Sequence, residues 1–432
     1  MEELTSKAAL CLDLVKEKNI EKAFVSVSSR EVNEFNVDGG EFSLFRTLFD
    51  NALSLTMYNA GRKGFVSLNR IDAASIKAAV ESCADVSESS PPDPAWDIAP
   101  KGENGDFVKG CPTPDIPALF DRSKVFMANI AEDYPAIIIE QMIIKHIKSK
   151  SAYQNTNGVI YNTVSGKNVV EVMFSAHEGE KSSSFYGSGV SIDSLDKPFI
   201  ELGTFREDFE NIQKQVHTTP LEGKFTGTVV LPPQTLGGVL YVLLSNFCGD
   251  MSILNGTSLW KDMIGKKVAD EKITLSLSPL DGRVVCGERF TSEGFRSENY
   301  DIIKDGALNS FMLSLYVANK TGRTRARNSS FNLIMAPGEK PIAEIIKGID
   351  KGIIVGRFSG GDPGANGEFA GVAKNSFYVE NGEIKHAISE TMISGNLLEL
   401  VKNLRGISKE VSCDGDSVLP YAVFDNVTIS GK

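Results

Sequence analysis

Histidines would be the first residues of this 432-residue chain to suggest metal chemistry, and only four occur. His177-Glu178 is the one His-Glu pair, but no second histidine follows it by four or five residues. A zinc peptidase needs imidazoles that hold the metal and a carboxylate that takes a proton from the bound water. We therefore interpret this pair as part of a strand that leads into a solvated loop. His146 alternates with apolar neighbours and is expected on a strand facing solvent.

The six cysteines form no CxxC pair, which argues against a redox motif or a zinc ribbon. Cys413 is the one that could serve as a thiol nucleophile, but the sequence ties no histidine or acid to it. A buried structural cysteine and a leftover ligand position both stay open as explanations for it.

Two other short runs suggest ligand binding. The glycine-rich run FSGGDPG at residues 358–364 lacks the GK[ST] ending of a phosphate-binding loop, and no helix pattern follows it. Turns, or glycines that let a peptide backbone approach closely, fit it better. Arg323, Arg325 and Arg327 make a small basic patch, which we interpret as a solvated strand end or loop.

Composition points to a globular protein of the cytoplasm. Hydrophobic residues make up 41% of the chain and charged residues 23%, which are ordinary values for a globular protein. The net charge of −11 argues against a general nucleic-acid binder. The chain starts without a signal-peptide core, and its longest apolar run, Leu236–Leu244, is too short to cross a membrane. We expect neither a nucleic-acid nor a membrane partner, and free thiols in a reducing compartment.

The strongest pattern among the elements that would position any chemistry is a strand followed by a helix. Residues 225–231 are apolar and β-branched and predict a strand, which two prolines end. These prolines suit the first turn of a helix, and apolar residues then recur at helical spacing as far as Phe247. Gly249 is expected to cap the helix in a left-handed conformation. Because the helix is apolar nearly all round, we expect it to be buried.

Helical and alternating segments along the rest of the chain predict an α+β fold that is mostly antiparallel. Residues 1–95 and 115–215 each show a helix and an antiparallel meander, and residues 96–114 form a linker with few periodic apolar residues. Residues 221–432 form a β-rich antiparallel C-terminal domain that contains the buried helix.

Turn signals divide these units into strands. Asp305-Gly306 and Asn381-Gly382 are expected as hairpin turns, because both central residues of such a turn take positive φ. In the first unit, residues 23–29 and 31–37 are predicted as two short strands.

The predicted helix is followed by Gly249-Asp250 and then by a Gly256-Thr257-Ser258 loop. This order resembles the peptidase region of the TldD/PmbA family, in which a strand leads into a helix bearing HExxxH, then GD, then a GTS loop. The resemblance places these loop glycine and hydroxyl residues in a substrate groove.

The metal-binding motif itself is absent. Counting back from the GD pair places the first histidine at Leu240, the glutamate at Tyr241 and the second histidine at Ser245. Neither histidine nor glutamate occurs anywhere between Gly227 and Ile264. The chain is therefore similar to the PmbA/TldE branch, the subunit that lacks HExxxH.

Four later stretches strengthen the resemblance. They are similar to the family's strand and hairpin, its Asn…Pro-Gly turn, its glycine-rich strands and its C-terminal cysteine segment, and they span Glu298–Asn328, Phe331–Val355, Phe358–Leu397 and Cys413–Pro420. The third stretch adds Gly360 and Gly361 to the expected groove. The likeness to the last stretch makes Cys413 the one ligand-type position that survives.

The resemblance implies a function. TldD-type and PmbA/TldE-type subunits act together as a cytoplasmic metallopeptidase that degrades small or unfolded peptides and trims leaders from peptide precursors. The TldD-type partner holds the zinc through two helix histidines and a cysteine, so no cofactor is expected in this chain. The family has also been named as a modulator of DNA gyrase, which we interpret as an indirect effect.

Three functions stay open. The first is a non-catalytic PmbA/TldE-type subunit that works with a HExxxH-bearing partner on unfolded peptides. The second is an independent peptide-binding or assembly protein that forms a homodimer. The third is a metallopeptidase with unconventional ligands. In each case residues 221–432 are expected to carry the association surface and a sheet edge for peptides.

Overall fold

Two large β-sheets with helices packed against them make up the computed structural model, which describes residues 1–361 and 363–431. Asp362, in the glycine-rich run, and Lys432, at the end of the predicted C-terminal domain, lie outside the described residues. The α+β class expected from the sequence is confirmed, since most strand pairs are antiparallel and helices lie between them.

The first sheet has eight strands in the order β3-β2-β1-β5-β6-β4, with β7 and β8 also paired to β6. Its strands and helices are α1 (Glu2–Glu17), β1 (Lys22–Asp38), β2 (Glu41–Asn59), β3 (Arg62–Leu68), α2 (Ala73–Ser89), β4 (Gly105–Gly110), α3 (Ile116–Asp133), β5 (Ile137–Asn155), β6 (Ile160–Glu178), β7 (Lys181–Ser182), β8 (Tyr186–Ile192), a 3₁₀ turn (Phe199–Glu201) and α4 (Phe205–Lys214).

This sheet unites segments that the sequence presented as separate units. β1 pairs with β5 along most of its length, so residues 1–95 and 115–215 share one layer. The predicted linker, residues 96–114, contributes β4, which pairs in parallel with β6. Trp96 of the same segment stacks on Tyr316, with ring centroids 3.7 Å apart. The segment is therefore packed into the fold.

The expected short strands 23–29 and 31–37 are wrong as separate elements. Both belong to β1, which pairs with β2 without a break from Lys22 to Asn36. Polar residues where the two predicted strands meet are typical of a turn. On this sheet they lie half-buried or exposed while the backbone ladder continues past them.

The second sheet has thirteen strands, with β12-β11-β10-β13-β21-β9-β14-β17-β18 as its main path and β15, β16, β19 and β20 attached to it. Its strands and helices are β9 (Lys224–Leu231), α5 (Pro233–Cys248), α6 (Asp250–Leu254), β10 (Leu275–Leu277), β11 (Tyr300–Lys304), β12 (Ala307–Leu308), α7 (Leu315–Thr321), β13 (Leu333–Met335), α8 (Ile342–Ile346), β14 (Lys351–Ile354), β15 (Arg357–Gly360), β16 (Glu368–Lys374), β17 (Ser376–Glu380), β18 (Glu383–Ile388), β19 (Thr391–Asn396), α9 (Leu397–Leu400), β20 (Leu404–Cys413) and β21 (Val418–Ser430).

The largest apolar core lies inside this second sheet and encloses one side of α5. The two expected hairpin turns are confirmed: Asp305 and Gly306 have φ of 49° and 76°, and Asn381 and Gly382 have 51° and 77°. In the part of the chain that the structure describes, no helix is both long enough and apolar enough to span a bilayer.

Candidate functional site

Helix α5 is the element on which a site would be built. β9 leads into it, and Pro233 occupies its first turn. Leucines at helical spacing on its inner side pack into the core, and Phe247 is fully buried. The predicted helix is therefore confirmed, but its burial is one-sided, because Gln234, Gly238 and Tyr241 lie exposed on the opposite face.

The helix ends differently from the expectation. Gly249 has φ −81° and ψ 163°, so it is extended and not left-handed. Its carbonyl accepts a hydrogen bond from the backbone of Ile253, which starts α6 immediately. A Cβ at this position would lie 2.6 Å from the Ser245 carbonyl oxygen. Space between two consecutive helices, and not a positive φ, therefore explains the glycine.

The three positions that correspond to the metal motif hold no metal donors of the required kind. Leu240 is 1% exposed and belongs to the core, while Tyr241 is 55% exposed. The Tyr241 ring packs edge-on against Phe331, with centroids 4.9 Å apart. Ser245 is half-buried. An alkyl chain, a phenol and a hydroxyl do not supply the imidazoles and carboxylate of a zinc peptidase, so the residues present do not fit zinc.

The histidines do not replace these ligands. His177 contacts Ser175, and His217 lies 2.7 Å from a carboxylate oxygen of Glu178. His146 was expected to face solvent, but it is 1% exposed because the Cys111 segment covers it; its Nε2 lies 2.8 Å from the Cys111 carbonyl oxygen. Within residues 1–361 and 363–431, histidines, cysteines and carboxylates form no group of three that could hold a metal.

Cys413 lies at the end of β20, and its side chain points away from α5. Its thiol donates a 3.4 Å hydrogen bond to the carbonyl oxygen of Arg283. The residues on either side, Ser412 and Asp414, line a cavity beside Tyr241. Side chains alternate along a strand, so Cys413 faces the other way. Burial also raises the pKa of its thiol, which disfavours the nucleophilic thiolate.

Three adjoining cavities of about 510, 500 and 400 Å³ lie along the open face of α5, and we call them together the groove. Gln234 lines all three, and Gly238 lines the first and third. A Cβ on Gly238 would meet nothing within 4 Å. The groove therefore follows the outer face of α5, and of the three motif positions only Tyr241 lines it.

Strand β8 forms the opposite wall of the groove. The backbone N–H of Ser191 donates to the Asp414 carbonyl oxygen, 2.7 Å away, and therefore points out of the first sheet. Since this direction alternates along a strand, Gly187 and Gly189 also direct their backbone groups outward. Gln234 donates its side-chain N–H to the Gly187 carbonyl oxygen at 3.1 Å. β8 thus adds a free sheet edge before residue 200 to the edge that the sequence placed within residues 221–432.

The five residues expected in a substrate groove separate into two groups. Gly360 and Gly361 line the first cavity, opposite α5. Gly256, Thr257 and Ser258 line none of the three cavities. Ser258 is 2% exposed and donates its hydroxyl to the Phe247 carbonyl oxygen, which fixes the loop after α6. The loop therefore contacts and stabilises the C-terminal end of α5.

An acidic residue that the sequence analysis missed lies behind β8. Asp208 of α4 is 8% exposed, and one of its carboxylate oxygens accepts hydrogen bonds from Ser188 and Thr204 at 2.7 and 2.6 Å. Burial raises the pKa of Asp208 to about 7. Its position on the same helical face as Phe205 and Phe209 was the available sequence signal.

The comparisons with known proteins agree on one family. Residues 223–431 match the family model described as the PmbA/TldA metallopeptidase C-terminal domain. The chain is 23% identical to "Metalloprotease PmbA" of Escherichia coli O157:H7 over 94% of this chain and 90% of that protein. It is 29% identical to "Zinc metalloprotease TldD homolog" of Saccharolobus solfataricus over 46% of this chain and 48% of that protein.

Solved structures show the same fold. The structure of TldE from Thermococcus kodakarensis superposes with a TM-score of 0.82 at 19% identity, covering 98% of this chain and all of that one. A Bacteroides thetaiotaomicron protein described as a proposed modulator of DNA gyrase gives a TM-score of 0.88 at 21% identity, covering both chains in full.

Proposed function

We propose that this chain, whose residues 223–431 match the PmbA/TldA metallopeptidase C-terminal domain, is the non-catalytic, PmbA/TldE-type subunit of a two-component zinc peptidase of that family. One observation carries the proposal: in α5, which follows β9 and precedes the Gly249-Asp250 pair, Leu240, Tyr241 and Ser245 occupy the positions that correspond to the ligands and base of the HExxxH motif. Zinc and the proton-accepting carboxylate are then supplied by a HExxxH-bearing TldD-type partner.

The groove along α5 supports a role in holding peptides. A strand edge grips an extended peptide through backbone hydrogen bonds, and so accepts many sequences. Gly187 and Gly189 of β8 offer such an edge, and they have no side chains that would block an approaching peptide. Unfolded peptides and peptide precursors that need trimming are the substrates we propose for the assembled enzyme.

The exposed part of β2 supports association with the partner. β3 covers only the stretch from Leu53 onward, so residues 41–52 have a sheet edge with no strand partner among the described residues. Phe45 and Phe49 on this edge are 61% and 75% exposed. Exposed aromatic residues on an unpaired strand are typical of protein interfaces and otherwise promote aggregation. We propose this edge as the docking surface for the TldD-type subunit, in place of the association surface that the sequence placed within residues 221–432.

A second candidate is an independent homodimeric peptide-binding protein. It is favoured by the fact that one chain supplies both walls of the groove. In either case we propose a cytoplasmic location, which agrees with the six free thiols.

The test is metal content and peptidase activity of the pure chain. We expect far less than one zinc per chain by elemental analysis and no chelator-sensitive cleavage of casein or short peptides, because a catalytic zinc needs three protein ligands. The HExxxH-bearing subunit, purified in parallel, serves as the zinc-containing control. Stoichiometric zinc together with chelator-sensitive cleavage by this chain would instead support a metallopeptidase with unconventional ligands.

A further inference from the structure

The first cavity of the groove is lined mainly by apolar residues, with one arginine and the uncharged polar residues Tyr186, Gln234, Thr235 and Ser359. Its volume of about 510 Å³ falls within the range of small-ligand sites. Apolar side chains of α5, β19 and α9 line it, among them Val239, Val242, Ile393 and Leu397. Of its described lining residues, Arg357 alone carries a charge.

The guanidinium of Arg357 has few partners. It lies over the Phe185 ring, 4.5 Å from the centroid, and one nitrogen donates to the Ser184 hydroxyl at 3.3 Å. Its Nε is buried and has no hydrogen-bond partner among the described residues. A guanidinium has five N–H donors arranged to meet a carboxylate. The contacts with Phe185 and Ser184 therefore position the guanidinium, while most of its N–H donors have no partner among the described residues.

A backbone edge accompanies this charge. β15 pairs with β16 on one side and has no strand partner on the other among the described residues. All four of its residues, Arg357–Gly360, line the cavity. An extended chain that lies along β15 would therefore reach the guanidinium and the apolar space together.

We propose that this cavity binds the C-terminal residue of a peptide, with an apolar side chain inside it and the α-carboxylate on Arg357. The inference rests on the proposed function for its ligand class. Hydrolysis of a peptide bond adds water and leaves a new carboxylate on the N-terminal fragment. The site thus fits fragments that a peptidase produces as well as intact short peptides.

The experiment compares two labelled hexapeptides that end in leucine, one as the free acid and one as the C-terminal amide. Fluorescence anisotropy with the full chain measures their Kd. We expect the free acid to bind at least tenfold more tightly. Arg357→Gln should remove this preference and leave the amide unchanged. Arg327→Gln changes an exposed arginine outside the groove and serves as the matched control, with the preference intact.

Two further variants keep the test decisive if Arg357→Gln does not fold. Arg357→Lys should keep part of the preference, and Val242→Phe, which fills the cavity, should weaken the free acid and the amide alike. Equal affinity of acid and amide for the native chain would overturn the proposal, as would displacement of the peptide by laurate at lower concentration than by the unlabelled acid. None of these readings requires zinc or a partner, so the proposed two-subunit function can fail independently.

Discussion

At the scale of single residues, Asp208 is a buried carboxyl group whose protonation is linked to folding. Its carboxylate lies beneath β8 and accepts two hydroxyl hydrogen bonds, which do not offset the loss of solvent. Burial therefore raises its pKa to about 7, from 3.8 in an exposed aspartate. Between these values the folded chain holds a proton that the unfolded chain has released, so stability falls as the pH rises from about 4 to about 7.

Replacement of this carboxyl makes the linkage measurable. Asp208→Asn should leave stability nearly unchanged at pH 4 and raise it at pH 8 by about 4 kcal/mol, since the pKa is raised by about three units and each unit corresponds to about 1.4 kcal/mol. Thermal unfolding at several pH values is the measurement. Asp121→Asn, on an exposed helix face, is the control and should show no such trend. Equal effects of Asp208→Asn at pH 4 and pH 8 would contradict the assignment.

The sequence alone identifies some residues of the candidate site but not others. The lack of metal ligands at Leu240 and Ser245 follows from residue types alone, so it was accessible without a structure. Gln234 and Arg357 were not identified, because their importance depends on strands far away in the chain that form the other walls of the groove. The orientation of Cys413 likewise depends on the register of β20, which its sequence does not fix.

At the scale of elements, α5 combines two roles. Its inner face packs into the core and its outer face borders the groove. The nearly uniform apolar pattern therefore predicted the burial of the inner face correctly but not the exposure of the outer face. Gly238 contributes no side chain, so the outer face stays open. A helix shows an amphipathic sequence pattern when one of its faces borders water. The outer face of α5 instead borders a partly enclosed apolar cavity, so the sequence of α5 lacks this pattern.

This division predicts different outcomes for two restored motif residues. Leu240→His places an unpaired imidazole in the core and should cost about 3 kcal/mol. Tyr241→Glu changes an exposed side chain and should cost about 1 kcal/mol or less. Urea unfolding of the two single variants provides the comparison. A similar loss of stability in both would mean that α5 is buried on both faces.

Hairpin turns and strand pairing also differ in how well the sequence predicts them. The Asp305-Gly306 and Asn381-Gly382 hairpins were predictable, because the turn type is encoded in two adjacent residues. The union of residues 1–95 and 115–215 in one sheet was not predictable, because it depends on pairing between β1 and β5 across a long stretch of chain.

At the scale of the whole molecule, we propose that two chains share the tasks of binding and cleaving a peptide. In the proposed enzyme this chain would supply a groove with two sheet edges and an exposed aromatic edge on β2, and the partner would supply zinc. Phe45 and Phe49 are solvent-exposed, so replacing both by glutamate should leave the fold intact and weaken association.

The most direct measurement is peptide cleavage by this chain, by the HExxxH-bearing subunit, and by the two co-expressed and purified together. The pair should cleave an unstructured peptide at least tenfold faster than either chain alone, and the Phe45→Glu/Phe49→Glu variant should lose most of this gain. Full activity from the HExxxH-bearing subunit alone, or from this chain alone, would contradict the account.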